Sequence, residues 1–244
     1  MGEPEFARGG IAGLILAGGQ GSRMNGQDKG LVVLRGEPLV AHVARRLAPQ
    51  VGRLIISANR HAGVYAQYGE PVADGAPELG AWQGPLMGIA AALAAVAVHG
   101  ADANAGDVSA GAAPGPLPAR ARRLTELGRA APDAAPPQWL VVSPCDTPFV
   151  PADMASRLIG AAHAAGAPMA YAVAHGQRHS ACMALRTALL PELLAYLRGG
   201  DRKVGLWQVR SGAVEALFDD APPHAFMNVN TPEDLALAER YASQ

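Results

Sequence analysis

Ile11-Ala12-Gly13-Leu14-Ile15-Leu16-Ala17-Gly18-Gly19-Gln20-Gly21-Ser22-Arg23-Met24 is the stretch that decides the fold. Ile11 to Leu16 is short and continuously apolar and runs straight into glycines, the pattern of a parallel strand buried on both faces. Gly18, Gly19 and Gly21 let the following loop adopt positive φ and bring backbone N–H groups close to a ligand with no Cβ in the way. Such a loop suits a phosphate chain. Arg23 and Lys29 add two fixed positive charges within about ten residues of it, and a guanidinium grips phosphate oxygens in bidentate fashion. A tight turn with solvated charges has the same composition, so the loop alone leaves both readings open. Two familiar templates fail. A dinucleotide fold built on Gly19-x-Gly21 needs a small residue at position 24, which is Met24. A P-loop spaced from Gly21 to Gly26 needs Lys and Ser or Thr where Gln27 and Asp28 stand.

Outward from this strand the chain alternates helix and strand. From Pro38 to Leu47 the apolar residues Leu39, Val40, Val43, Ala44 and Leu47 recur at helical steps with Arg45 and Arg46 between them. Arg53 to Ala58 reads as the next strand, Gly63 to Tyr68 as a short helix and Glu70 to Ala73 as a third strand. Leu86 to Val98 is an alanine-rich helix, and Trp139 to Ser143 is a fully apolar strand that ends on Pro144-Cys145-Asp146. Helices over 152–165 and 189–197, strands near 169–174 and 214–218 and an apolar stretch over 181–185 follow. Thr231-Pro232-Glu233-Asp234 opens a last helix, with Thr231 as N-cap and Pro232 at the first helical position.

The 244 residues fit one α/β domain spanning 1–244, with one anomaly. From Gly100 to Pro137, 38 residues carry 12 Ala, 6 Pro and 5 Gly. Such composition buries too little apolar area to offset its ordering entropy, so 100–137 is expected to be a mobile insertion, with Arg120, Arg122, Arg123 and Arg129 on a solvated face. Half of all residues are apolar and the formal charge is −1, so no global field draws in nucleic acid or an anionic membrane. No apolar run reaches the ~18 residues of a membrane span, and a cytoplasmic protein without nucleic-acid or membrane partners is expected. Cys145 and Cys182 show neither metal-ligand nor redox-pair spacing and read as buried thiols.

Asp146 follows a buried strand, at the carboxyl edge where open α/β sheets bind ligands, and its carboxylate is a hard oxygen donor suited to Mg2+. An Asp before Thr147-Pro148 also suits a simple turn. Asp74 carries a carboxylate able to accept two N–H donors, and as the first residue of Asp74-Gly75 it equally suits a turn. Asn228 and Asn230 lie two apart on an extended segment and share one face, converging on a metal or phosphate group. His179 is a lone histidine, a type more often structural.

Taken together, the loop with Asp28-Lys29-Gly30-Leu31, Ser57-Ala58-Asn59-Arg60-His61, Gly84-Pro85-Leu86-Met87-Gly88, Pro144-Cys145-Asp146-Thr147-Pro148-Phe149 and Asn228-Val229-Asn230-Thr231-Pro232-Glu233 resembles the nucleotidyltransferases. Among these it is most similar to the molybdenum cofactor guanylyltransferases, in order and approximate spacing along nearly the whole chain apart from the insertion. The resemblance implies a Rossmann-like three-layer α/β fold with a mostly parallel central sheet. It implies transfer of GMP from GTP to the terminal phosphate of molybdopterin, with Mg2+ as cofactor and release of pyrophosphate. By the same resemblance Leu16, Ala17, Gly18 and Gly19 contact the nucleotide, Lys29 its phosphates, Asn59 and Asp74 the guanosine, and Asp146 both nucleotide and metal. Arg23, Lys29 and Asp146 carry catalysis, while His179, Asn228 and Asn230 face the acceptor. His179-Ser180 stands where that family often has His-Pro, and the neutral amides of Asn228 and Asn230 stand where an acidic residue is usual in many sugar nucleotidyltransferases. A monomer serving molybdoenzymes or other cofactor-biosynthesis proteins is expected. A cytidylyl or sugar-phosphate transferase is the competing enzyme reading, which the Asp28-Lys29-Gly30-Leu31 step disfavours. A non-catalytic nucleotide-binding regulator or chaperone is the competing reading of another class, which retention of Arg23, Lys29 and Asp146 disfavours.

Overall fold

The computed structural model describes residues 7–18, 28–73, 84–102 and 136–243. Gly19, Arg23, Asp74 and nearly all of the 100–137 segment lie outside them.

Strand β1 (Ile11–Leu16) is buried almost throughout, as its unbroken apolar run requires. It sits inside a 7-stranded sheet between β4 (Arg53–Ser57) and β6 (Trp139–Pro144), parallel to both. Beyond β4 comes β5 (Glu70–Val72), also parallel. Beyond β6 the order continues through β8 (Gln177–Arg186) and β7 (Met169–Ala174) to β9 (Val214–Leu217). β8 runs antiparallel to both of its neighbours, and β9 is parallel to β7. The expected mostly parallel α/β sheet is what forms. A two-stranded hairpin, β2 (Val33–Leu34) with β3 (Glu37–Pro38), stands apart.

Alternation along β1 and β6 sends their side chains to two cores. Ile11, Ile15, Trp139 and Val141 pack beneath α1 (Leu39–Leu47) and α4 (Met154–Ala164), with Tyr65 of α2 (Ala62–Tyr65) in the same cluster. Leu14, Leu140 and Val142 pack on the other face against α3 (Pro85–Asp102), α5 (Leu190–Arg198) and Trp207 of α6 (Val204–Arg210). These are the three layers. Helix α3 runs four residues past the expected Val98, into the start of the segment read as an insertion. Helix α7 (Pro232–Tyr241) begins on a capping box: Thr231 accepts from the Asp234 amide and Asp234 returns the bond to the Thr231 amide, so two otherwise unpaired donors are satisfied. None of the described helices is long and apolar enough to cross a membrane.

The chain leaves β1 toward β4 and reaches β6 on the opposite side of β1. The order of the strands therefore reverses at the β1–β6 boundary. In open α/β sheets, a crevice for ligands forms outside the carboxyl ends of the strands at such a point.

Candidate active site

Three segments far apart in sequence meet at that crevice because each carries an apolar residue into one small core. Val32 and Leu34 follow Lys29, Phe149 follows Asp146, and Val229 lies between Asn228 and Asn230; all four pack together with Leu39 and Ala238. Leu34 and Val229 are fully buried, and burying such a side chain contributes about 1.5–3 kcal/mol. The polar residues beside them have no choice but to converge. The Val229 amide donates to the Asp146 carbonyl at 2.8 Å, fixing the last segment to the turn after β6.

Lys29 reaches across this junction. Its ammonium donates to Asp146 Oδ2 and to Asn230 Oδ1, joining residues 117 and 201 positions away. The Lys29 and Asp146 side chains keep 23% and 11% of their exposure, so the pair is screened from bulk water without being sealed off. Asn228 points to the same turn, where its Oδ1 accepts from Thr147 Oγ at 2.8 Å. Thr147 Oγ also lies 3.4 Å from Asp146 Oδ1. Of the residues singled out in the sequence, Lys29, Asp146, Asn228 and Asn230 are thus brought into one hydrogen-bonded group. Thr147 joins it and was not singled out.

Leu16 and Ala17 form the floor beside this group. Cys145 donates its amide to the Leu16 carbonyl at 3.0 Å, and Ala17 donates to the Ser57 carbonyl at 2.8 Å, so the end of β1 is tied to both neighbouring strands. Asn59 follows β4 at the same sheet edge, and Gly18 continues from Ala17. Gly88 explains the Gly84-to-Gly88 motif: a Cβ there would meet Ser57 Oγ at 2.6 Å and Leu16 Cδ2 at 2.9 Å. Its bare backbone lets the start of α3 press against the strand ends that carry Leu16 and Asn59.

His179 does not join the Lys29 group. It sits on β8 opposite Ala172 and stacks on Phe226, with centroids 4.7 Å apart and planes 20° from parallel. Phe226 begins the segment that carries Asn228, so the histidine buttresses that segment. Burial holds its pKa below the ordinary value, because the charged ring loses hydration there. Cys145 and Cys182 are free, buried thiols whose pKa is pushed up, first by burial and then by the Asp146 carboxylate.

Among the described residues no three of His, Cys, Asp or Glu gather as a metal cage. What the site offers a divalent cation is one carboxylate and the amide oxygen of Asn230, hard oxygen donors that already hold the Lys29 ammonium between them. That set fits a Mg2+-like ion, which takes one or two carboxylates and draws its remaining ligands from water and substrate phosphates.

Residues 13–213 match the model of the MobA-like NTP transferase domain. The chain belongs to the MobA-like NTP transferase family. It is a nucleotidyltransferase, and its relatives match it along nearly its whole length. Molybdenum cofactor guanylyltransferase of Cupriavidus pinatubonensis is 38% identical over 241 residues, covering 96% of this chain and 98% of the relative. The protein of the same name from Burkholderia lata is 39% identical over 247 residues, with 97% and 99% covered. Molybdopterin-guanine dinucleotide biosynthesis protein A from Archaeoglobus fulgidus superposes with a TM-score of 0.63 at 21% identity, covering 96% of this chain and 98% of that one, a likeness of fold. The manganese complex of Rv0371c from Mycobacterium tuberculosis has a TM-score of 0.54 at 15% identity, with 94% of this chain and 98% of that one covered, again a likeness of fold. The family resemblance read from the sequence motifs is borne out.

Proposed function

We propose that the enzyme transfers GMP from GTP to the terminal phosphate of molybdopterin, releasing pyrophosphate and forming a guanine dinucleotide. The observation that carries this reading is the junction of Lys29, Asp146 and Asn230 at the carboxyl ends of β1 and β6. A cation and a carboxylate at a strand-end crevice are what a triphosphate with its metal requires. The names of the full-length relatives supply the acceptor and the base.

The attacking group is a phosphate that is already anionic at neutral pH, so the transfer needs no general base. Its requirements are in-line positioning and relief of charge on the leaving pyrophosphate. Lys29 has the reach to exchange one of its oxygen contacts for the triphosphate, and Arg23 is assigned to the same chain of phosphates. Asp146, with the Asn230 amide oxygen, would hold Mg2+, which when bound supplies charge neutralisation at the phosphates. Leu16, Ala17, Gly18 and Gly19 line the nucleotide, and Asn59 with Asp74 reads the guanosine. Asn228 and Asn230 share one extended segment buttressed by His179, which suits that segment to contact the acceptor.

Pyrophosphate release from GTP, CTP and ATP, each with Mg2+ and purified molybdopterin, tests the reading. Acceptor-dependent release from GTP and not from CTP or ATP is expected. No release with GTP, or release that favours CTP, overturns it.

A further inference from the structure

Asp28 caps the one-turn helix over Lys29–Leu31, and its Oδ1 accepts from the Gly30 amide at 3.3 Å. The same oxygen accepts the hydroxyl of Tyr65, a side chain with no exposed surface. Gly30 completes the arrangement. A Cβ on it would fall on the Tyr65 hydroxyl oxygen and within 3.1 and 3.2 Å of the ring atoms Cε1 and Cζ. The residues on both sides of Lys29 are therefore fitted to one phenol. Tyr65 in turn belongs to the turn that follows Asn59: its amide donates to the His61 carbonyl at 3.1 Å, and His61 holds a left-handed φ of 54°.

We propose that Tyr65 is a positioning residue for nucleotidyl transfer, locking the Asp28–Gly30 backbone so that the Lys29 ammonium stands at Asp146 and Asn230, and coupling the Lys29 turn to the Asn59 loop. A core-filling tyrosine needs only its ring, whereas here the hydroxyl is spent on the carboxylate next to the catalytic lysine. Burial, and then the bond to Asp28, push the Tyr65 pKa up, so the phenol stays a donor. The proposal rests on the reading of Lys29 as the phosphate-binding lysine.

The test is a double-mutant cycle of Tyr65→Phe with Lys29→Ala, read as kcat/KM for GTP by pyrophosphate release, with a thermal melt of every variant. Tyr65→Phe keeps the ring and is expected to lose about tenfold, the scale of a small misplacement of a reacting group. In the Lys29→Ala background the same change is expected to cost less than about twofold, because the group it positions is gone. Equal losses in both backgrounds, or no loss in the native one, overturn the proposal. Asp28→Ala breaks the same bond from the other side and must show the same dependence on Lys29, whereas Asp28→Asn keeps an acceptor oxygen and must retain most of the activity; if both Asp28 variants lose activity alike, the proposal falls. Should Lys29→Ala itself turn over at the native rate, the assignment of Lys29 fails, and the role of Tyr65 falls with it.

Discussion

Asp146→Asn separates what the carboxylate does for the fold from what its charge does for the chemistry. The amide keeps the shape of the side chain and an oxygen for Lys29, and the backbone carbonyl of residue 146 still accepts from Val229 at 2.8 Å. The lost ion pair lies between two regimes: exposed pairs contribute up to about 1 kcal/mol, and breaking a fully buried one costs about 3–5 kcal/mol. With Lys29 at 23% exposure and Asn230 still in place, about 1–2 kcal/mol is the expected loss of stability. For a chain of 244 residues this lowers Tm by about 2–8 °C. Activity responds on another scale. Removing a preorganised electrostatic group from a transfer site costs about 3–4 kcal/mol, or a factor of about 100–1,000 in kcat. The assay is GTP-dependent pyrophosphate release over a Mg2+ titration, beside a melt of the same preparation. Asp146→Ala is expected to abolish transfer and leave the fold intact. If Asp146→Asn turned over at the native rate, the carboxylate would be a turn residue, and the reasoning from its charge would be wrong.

Gly88→Ala places a methyl 2.6 Å from Ser57 Oγ; overpacking of this kind costs about 1–3 kcal/mol, and a lower Tm with a higher KM for GTP is expected, both partly restored by adding Ser57→Ala. An unchanged KM would mean that α3 does not set the strand ends. Val229→Ala empties a fully buried position in the small core beneath the Lys29 group; a loss of about 1–3 kcal/mol in a denaturant melt should come with reduced kcat, and loss of stability with native kcat would show that the core does not hold the site. The pH dependence of stability follows from His179 and His224, both held below their ordinary value of 6.5, first by burial. A lowered folded pKa means that the unfolded chain binds protons first as pH falls, so this contribution is complete above pH 6.5 and is lost through the interval beneath it. His179→Gln should flatten the Tm-versus-pH curve there; an unchanged curve would refute the assignment.

The fold was legible wherever one local signal sufficed. Ile11 to Leu16 reads as a doubly buried strand and forms one, and Thr231-Pro232 opens a helix where capping chemistry requires it. What stayed hidden depends on partners distant in sequence or on pieces too short for periodicity. The hairpin of β2 and β3 offers two residues per strand, and its turn is made by Arg35 and Gly36 at φ of 52° and 81°, where an Arg gives no turn signal. The seven residues of α6 bury Trp207 and Gln208 completely and leave Leu206 and Val209 exposed, so apolar spacing does not mark the anchor. In β8 only the apolar half over 181–185 was visible, because Gln177 to Ser180 is a partly exposed polar arm. Its antiparallel direction is written in no local pattern.

The site divides in the same way. Lys29, Asp146, Asn228 and Asn230 were named from motif and charge, yet nothing local says that Lys29 spans the first and third of the three segments and the turn between them. Tyr65 carries no motif at all. The available hint was Asp28 two residues before Gly30, the spacing of a carboxylate that caps a turn, and it gives no indication of what else the carboxylate binds. Such knowledge comes only from the packing of α2 under that turn.

GTP labelled at its α-phosphate, incubated with the enzyme, Mg2+ and molybdopterin, puts the whole account to one measurement. Label recovered in a pterin guanine dinucleotide, with one unlabelled pyrophosphate released for each, is the predicted result. Label in free GMP, or an equal yield of labelled dinucleotide when CTP labelled at its α-phosphate replaces GTP, would contradict guanylyl transfer at this site.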